Sequence, residues 1–336
     1  MNIFSRLIRN FFSNVFIGVN VDSKICSLKV MRIKDGKVIE DFNREFKTID
    51  NEVSMDAIKL IRSYQEKYPF TYLSAMSKNY NQGIINKEKK EDLSKYGINP
   101  KECNILDFNT WKVYIKNSAI QENAARFSKI NGIDFLFSPF IVIYHRIKNK
   151  IGSKTSLYVL QERSSVSLLV ADLEGIYFGG YFMVEGEVED MEIEQESLEK
   201  KDFHTDLPTM DYKDEDLDDE IDDLVDLDSE FFIDKLNEKL LLDNQEEDSS
   251  KDKVNDLTKI SIVSNIIQNS LREFYSNELY ESKFIEEIVI LDAYGISDGA
   301  LNYLGENTMI ETSKISVCIV DELVGLSKIE FKKGNL

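Results

Sequence analysis

Twice along the chain, three β-rich runs joined by polar turns lead into an amphipathic helix and a further strand, and a plan repeated in this way leaves few folds open. The first copy opens with "FIGVNVDSKICSLKVMRIKDGKVIEDF", residues 16–42, whose turns fall at Asp22-Ser23-Lys24 and Lys34-Asp35-Gly36-Lys37. The helix "DNEVSMDAIKLIRSYQEKYP" follows, with Asp50 or Asn51 as the expected N-cap and Pro69 beyond its end, and then the strand "FTYLSAMS". The second copy opens with "SLYVLQE", "SSVSLLVADL" and "GIYFGGYFMV", broken at Arg163-Ser164 and Glu174-Gly175. It resumes with the helix "LTKISIVSNIIQNSLREFYSN", the strand "FIEEIVILDA", the turn and short helix "YGISDGALNYLGEN" and a last strand near "SKISVCIV". An α/β chain results, each half building a mixed sheet covered by helices, with the cleft between the halves as the natural ligand site.

Between the copies, residues 78–112 are polar and broken by Gly83, Gly97 and Pro100, which suggests a small inserted subdomain. Then come the strand "WKVYIK", a helix "SAIQENAARFSKING" stopped by Gly132, the strand "IDFLFS" and a helix "PFIVIYHRIKNKI" begun by Pro139. The expected division is an amphipathic N-terminal helix over 1–15, lobe I over 16–150, lobe II over 151–184 and 254–322, an acidic, largely flexible insert over 185–253, and a tail over 323–336.

The formal net charge is −20 over 336 residues, but residues 185–252 carry 29 acidic residues against six lysines. That segment more than accounts for the whole excess, so the rest is near neutral. Three cysteines, Cys26, Cys103 and Cys318, form no CxxC pair, and His145 and His204 stand apart, so neither a disulfide framework nor a metal site is expected. An acidic arm of this kind would be repelled by nucleic acid and by anionic lipid, so no nucleic-acid partner is expected. No apolar run is long enough to span a bilayer, which points to a cytoplasmic protein.

Two segments suggest binding. In "MNIFSRLIRNFFSNV" the apolar Phe4, Leu7, Ile8, Phe11 and Phe12 recur at helical spacing beside Arg6 and Arg9, a pattern that suits a membrane interface, a partner's groove or the protein's own surface. Within the acidic stretch "SEFFIDKLNEKLLLD" offers Phe231, Phe232, Leu236 and Leu240 as one face of a partner-binding helix, or of a helix resting on its own domain.

The duplicated plan resembles the actin-like ATPase superfamily, and within it the PilM and GspL branch, cytoplasmic components of type IV pilus and type II secretion machines. Four stretches carry the resemblance. "FIGVNVDSKICSLKVMRI" resembles the first phosphate hairpin and "SLYVLQERSSVSLLVADLEGIYFGGYFMV" the second. "KVYIKNSAIQENAARFSKINGIDFLFSPF" is similar to the strand-helix-strand before the second lobe. "SNIIQNSLREFYSNELYESKFIEEIVILDAYGISDGALNYL" is similar to the helix, strand and adenosine-side turn.

The resemblance implies an actin-like, duplicated ribonuclease-H-like fold with two lobes and an acidic insertion in the second. It places nucleotide-binding positions at Asn20, Asp22, Ser23 and Lys24, at Ser164 and Ser165, and at Asp292 and Gly295. These have drifted from what phosphates need. Asn20 stands where the family usually has an acid, "LQERSSVS" offers Gln161, Glu162 and Arg163 in place of an acid and a glycine, and Gly295 is the one glycine of "DAYG". The expectation is therefore a retained scaffold with a weakened or lost ATP site, no catalytic residue and no resident cofactor, ATP with magnesium binding at most weakly. The implied role is docking on a bitopic inner-membrane partner resembling PilN, with the machine's motor ATPase as a second partner and peripheral contact with the inner membrane. A working actin-like ATPase or kinase, and the same fold in a DNA-uptake system or a flagellar-motor accessory structure, stand as alternatives.

Overall fold

The computed structural model describes residues 12–48, 52–86, 93–184 and 247–334. Residues 1–185 with 256–336 form one compact unit, and 186–255 fall outside it.

Lobe I begins with the hairpin meander β1 (Asn14–Asp22), β2 (Ile25–Lys34) and β3 (Lys37–Lys47). Helix α1 (Met55–Lys67) and β4 (Phe70–Met76) follow. Lobe II begins with β9 (Ser156–Gln161), β10 (Ser165–Ala171) and β11 (Ile176–Met183), followed by α4 (Glu247–Ser276) and β12 (Glu287–Asp292). Each lobe closes its sheet with one more parallel strand: β8 (Phe135–Phe137) in lobe I and β13 (Glu311–Ser316) in lobe II. The two five-stranded sheets then have one order, β3-β2-β1-β4-β8 and β11-β10-β9-β12-β13. In both, the first three strands pair antiparallel and the last two add in parallel. This is the duplicated ribonuclease-H-like plan of the actin-like fold.

Burial explains why the central strands read as continuous apolar runs. Every residue of β9 and β10 is buried, as expected for strands covered on both faces. Phe140 and Ile143 of α3 (Pro139–Ile147), Met76 of lobe I, and Tyr158, Leu160 and Leu291 of lobe II share one apolar cluster, so the floor of the cleft is a common core.

Several expectations shift. The N-terminal helix cannot run to residue 15, because Val15 already lies in β1 with none of its surface exposed. Residues 1–11, including Phe4, Arg6, Leu7, Ile8, Arg9 and Phe11, lie outside the described residues; Phe12 is half-exposed, its ring 5.9 Å from that of Phe70. The N-cap of α1 is Ser54 rather than Asp50 or Asn51, the helix starting where Ala57, Ile58 and Ile61 can face the core. The inserted subdomain extends to Lys116. Its sheet is β5 (Gln82–Asn86), β6 (Cys103–Asp107) and β7 (Trp111–Lys116) in the order β5-β7-β6, and alternate residues Trp111, Val113 and Ile115 of the central strand are buried. The helix after it, α2 (Asn117–Arg126), ends before Phe127, well short of Gly132.

The largest departure is at the C-terminus. In place of a tail from residue 323, α6 (Ile319–Lys332) follows α5 (Asp298–Thr308) and β13, and packs on β1, β2 and β4 of lobe I. Leu323 and Val324 are fully buried there. Gly18 of β1 makes the approach: a Cβ at that position would lie 2.7 Å from the Val320 carbonyl oxygen. Lys29 of β2 pins the helix by pairing with Asp321 at 2.9 Å and Asp41 at 2.7 Å. His145 Nδ1 lies 2.6 Å from Glu322 Oε2 on the other side, giving this histidine a partner within the fold. Residues 231–240, with Phe231, Phe232, Leu236 and Leu240, lie outside the described residues.

Candidate functional site

The C-terminal ends of β1, β9 and β12 converge on the cleft, where a cavity of about 350 Å³ is lined by Asn20, Asp22, Glu162, Arg163, Asp292 and Gly295 among others. Six of the eight sequence-derived positions meet in or beside this cavity. Ser23 sits in the β1–β2 turn with φ of 56°, and Lys24 is exposed, its carbonyl accepting from the Thr48 amide; neither lines the cavity.

The first hairpin reaches across to the second. Asp22, buried at the end of β1, accepts hydrogen bonds from the Arg163 amide at 2.8 Å, the Ser164 amide at 2.9 Å and the Ser164 hydroxyl at 2.7 Å. A carboxylate held by successive backbone N–H groups of a turn is the arrangement a phosphate would adopt. Here the chain supplies the anion itself. On the opposite wall Asp292 does the same for its own turn, accepting from the amides of Tyr294 at 3.1 Å, Gly295 at 2.8 Å and Ile296 at 2.9 Å. Gly295 has φ of 97°, which lets this turn wrap its carboxylate.

Beneath these turns Glu162 is 3% exposed and joins the lobes. Its carboxylate accepts from Asn20 Nδ2 at 2.8 Å, from the Lys78 ammonium at 2.5 Å to both oxygens, and from the Ser165 hydroxyl at 2.9 Å. Burial pushes the Glu162 carboxyl up, against the pull of Lys78. The three partners, through four hydrogen bonds, nonetheless satisfy an ionised carboxylate, and a buried acid paired in this way is costly to disturb. Above it the Arg163 guanidinium lies 5.6 Å from the Tyr294 ring centroid, and Gln161 donates to the Tyr294 hydroxyl at 2.9 Å.

These residues do not fit a nucleotide's phosphates. The amides of Arg163, Ser164, Tyr294 and Gly295 already have carboxylate partners from this chain. Among the described residues no group of three or more His, Cys, Asp or Glu is placed to hold a metal ion. Lys78 escaped the sequence reading because a lone lysine in the polar run after β4 carries no signal; only the fold brings it under the second hairpin.

A second cavity lies beside the small sheet. It is larger, about 670 Å³, and runs between β6 of the small sheet, β8, α3 and α6, lined by Leu106, Leu136, Ile141, Tyr144, Leu326 and Ile329 among others. Sequence reasoning had no access to it, since its walls come from four separated segments, one of them expected to be a tail.

Comparison with known families decides the membership. Residues 157–332 match the family model described as a domain of unknown function, DUF8341, and residues 11–144 match a second, DUF8569. The chain belongs to the DUF8341 family. In this DUF8341 protein the matched region is the whole of lobe II together with α6. No curated protein matches the chain. Among solved structures, it is similar to a Bacteroides thetaiotaomicron protein with an actin-like ATPase fold and unknown function, at 12% identity over 97% of this chain and 99% of that one, TM-score 0.42. It is also similar to a chain of a PilM-PilN type IV pilus biogenesis complex, at 10% identity over 89% of this chain and 87% of that one, TM-score 0.47. An Aquifex aeolicus PPX-GPPA enzyme matches half of the chain at 11% identity, TM-score 0.25. The actin-like assignment of this DUF8341 protein rests on the order and direction of its own strands.

Proposed function

We propose that this DUF8341 protein is an actin-fold docking body without a working nucleotide cycle. It grips a short segment of a bitopic inner-membrane protein resembling PilN and helps assemble an envelope-spanning machine of the type IV pilus or type II secretion kind. The observation that carries the first half is the Asp22 carboxylate on the amides of Arg163 and Ser164. Hydrogen-bond donors aimed at a phosphate cannot serve it while an internal carboxylate holds them, and exchanging one charged acceptor for another gains little.

The second half is supported by the groove of lobe I. Strand β6 is an edge strand, so its outer side offers backbone groups to an added extended segment, and Leu106 on it is 51% exposed at the lip of an apolar cavity. Calorimetric titration with magnesium and ATP tests the reading: no heat of binding tighter than high micromolar is expected. A micromolar dissociation constant with turnover of ATP restores the ATPase alternative.

A further inference from the structure

One face of α3 runs the length of the groove. Ser138, Ile141, Tyr144 and Lys148, three or four residues apart, all line it, with Ser138 as the helix N-cap and Lys148 just beyond its last residue. At roughly 1.5 Å per residue this stripe is about 15 Å long, the reach of about four to five residues of extended chain. Its middle is apolar and its two ends are polar. Ser138 is 2% exposed, and its hydroxyl has no hydrogen-bond partner among the described residues although the residue lines the cavity. The free edge of β6 flanks the same helix, the Phe108 ring just past its end lying 6.0 Å from that of Tyr144.

The charges along the groove are engaged within the protein, with one exception. Asp107 pairs with Lys112 at 3.4 Å, Glu330 with Lys333 at 2.7 Å, and His145 Nδ1 lies 2.6 Å from Glu322. Asp134 accepts from the Leu73 amide at 2.7 Å. Lys148 is exposed, and its ammonium has neither an ionic nor a hydrogen-bonding partner among the described residues. We infer that the groove takes an extended partner segment of about four to five residues, apolar through its middle, with an aspartate or glutamate at the end that meets Lys148 and a backbone carbonyl on the Ser138 hydroxyl. The inference rests on the docking reading of this groove and names the class of segment it takes. Burial of the apolar side chains supplies the affinity, and the single charge pair sets the segment's direction and register.

The protein carries its own reporter. Trp111 is its single tryptophan, buried, stacked on Phe108 with centroids 4.5 Å apart and 5.5 Å from Tyr144, and Phe108 and Tyr144 line the groove. In the experiment, peptides are selected from a random display library on the full chain, and the best is synthesised and titrated against the parent, Lys148→Glu and Leu106→Asp chains while Trp111 emission is followed. The parent should enrich apolar peptides that carry Asp or Glu, and Leu106→Asp should weaken their binding at least tenfold. Changing the peptide's acid to its amide should weaken binding about threefold, the size of an exposed pair, and Lys148→Glu about tenfold, repulsion replacing attraction. Changing that acid to lysine should restore binding to the Lys148→Glu chain. Both substituted residues are exposed, so the variants should melt with the parent. Peptides that need Leu106 but carry no acid, or that bind the Lys148→Glu chain as well as the parent, overturn the inference and leave the docking reading standing. Recovery of no peptide that depends on Leu106 overturns the docking reading and the inference with it. A dimer of this chain that Leu106→Asp dissociates makes a second copy the occupant and likewise overturns the inference.

Discussion

The interlobe cleft and the groove beside the small sheet are opposites. The interlobe cleft is polar and furnished from within: Asp22 and Asp292 hold the turn amides, and Glu162 ties Asn20 and Lys78 together beneath them. The lobe I groove is nearly twice as large and lined mainly by aliphatic and aromatic side chains. In an actin-like fold a cleft that moves with nucleotide needs donors free to take phosphate and lobes free to part. Here the donors are engaged, and one apolar cluster joins both lobes. The proposed docking on the groove rests on this difference, with the cleft acting as a structural joint between the lobes.

The joint should break most sharply at Lys78. Lys78→Met strands the Glu162 carboxylate among Asn20 and Ser165 with no cation, and thermal unfolding should show a loss of about 3–5 kcal/mol. Lys78→Met with Glu162→Gln should recover much of that. Burial raises the Glu162 pKa, so without Lys78 its ionised form is penalised as pH rises above the ordinary glutamate value, and the single variant's deficit should shrink on acidification. A deficit independent of pH would place the effect in packing.

Next in size is Asp22→Ala, which leaves the Arg163 and Ser164 amides without their acceptor and should cost about 1–3 kcal/mol by denaturant unfolding. The same variant sharpens the comparison, because the freed amides should take up pyrophosphate at millimolar concentration where the parent does not.

How much of this was legible in the sequence differs between the same two regions. The duplicated sheets could be read because their strands are local and apolar, and the turns at Asp22-Ser23-Lys24 and Arg163-Ser164 because polar residues interrupt them. That the first turn's aspartate bonds to the second turn's backbone was not legible: the two lie 141 residues apart, and only the shared strand order of the lobes aligns them. The sequence places Asp22 among vestigial nucleotide-binding candidates, and its carboxylate accepts from the amides of Arg163 and Ser164. The sequence suggests a tail over 323–336 because an apolar segment beyond the last strand gives no sign of returning to lobe I; Gly18, which permits the return, is one glycine inside an apolar strand.

A smaller effect is expected where α6 meets lobe I. Burial pushes Asp321 up, but the hydrogen bond and charge of Lys29 outweigh it and hold its carboxyl below the ordinary value. A depressed carboxylate contributes stability above its unfolded pKa and loses it as pH falls through the folded one. Asp321→Asn should therefore cost about 0–1 kcal/mol at neutral pH, the pair being partly exposed, and the cost should fade below the ordinary aspartate value. Smallest of all, Leu106→Asp should change stability by no more than about 0.5 kcal/mol while weakening capture of a partner's segment in a pull-down. A large stability change there would make the groove part of the core.

The central claim is that the cleft's phosphate-facing amides are held by the protein's own carboxylates. The most direct measurement follows the amide resonances of Arg163, Ser164, Tyr294 and Gly295 by nuclear magnetic resonance during a titration with magnesium and ATP to millimolar concentration. In the parent protein none of the four should shift, and in Asp22→Ala those of Arg163 and Ser164 should. Saturable shifts of these amides in the parent would contradict the account.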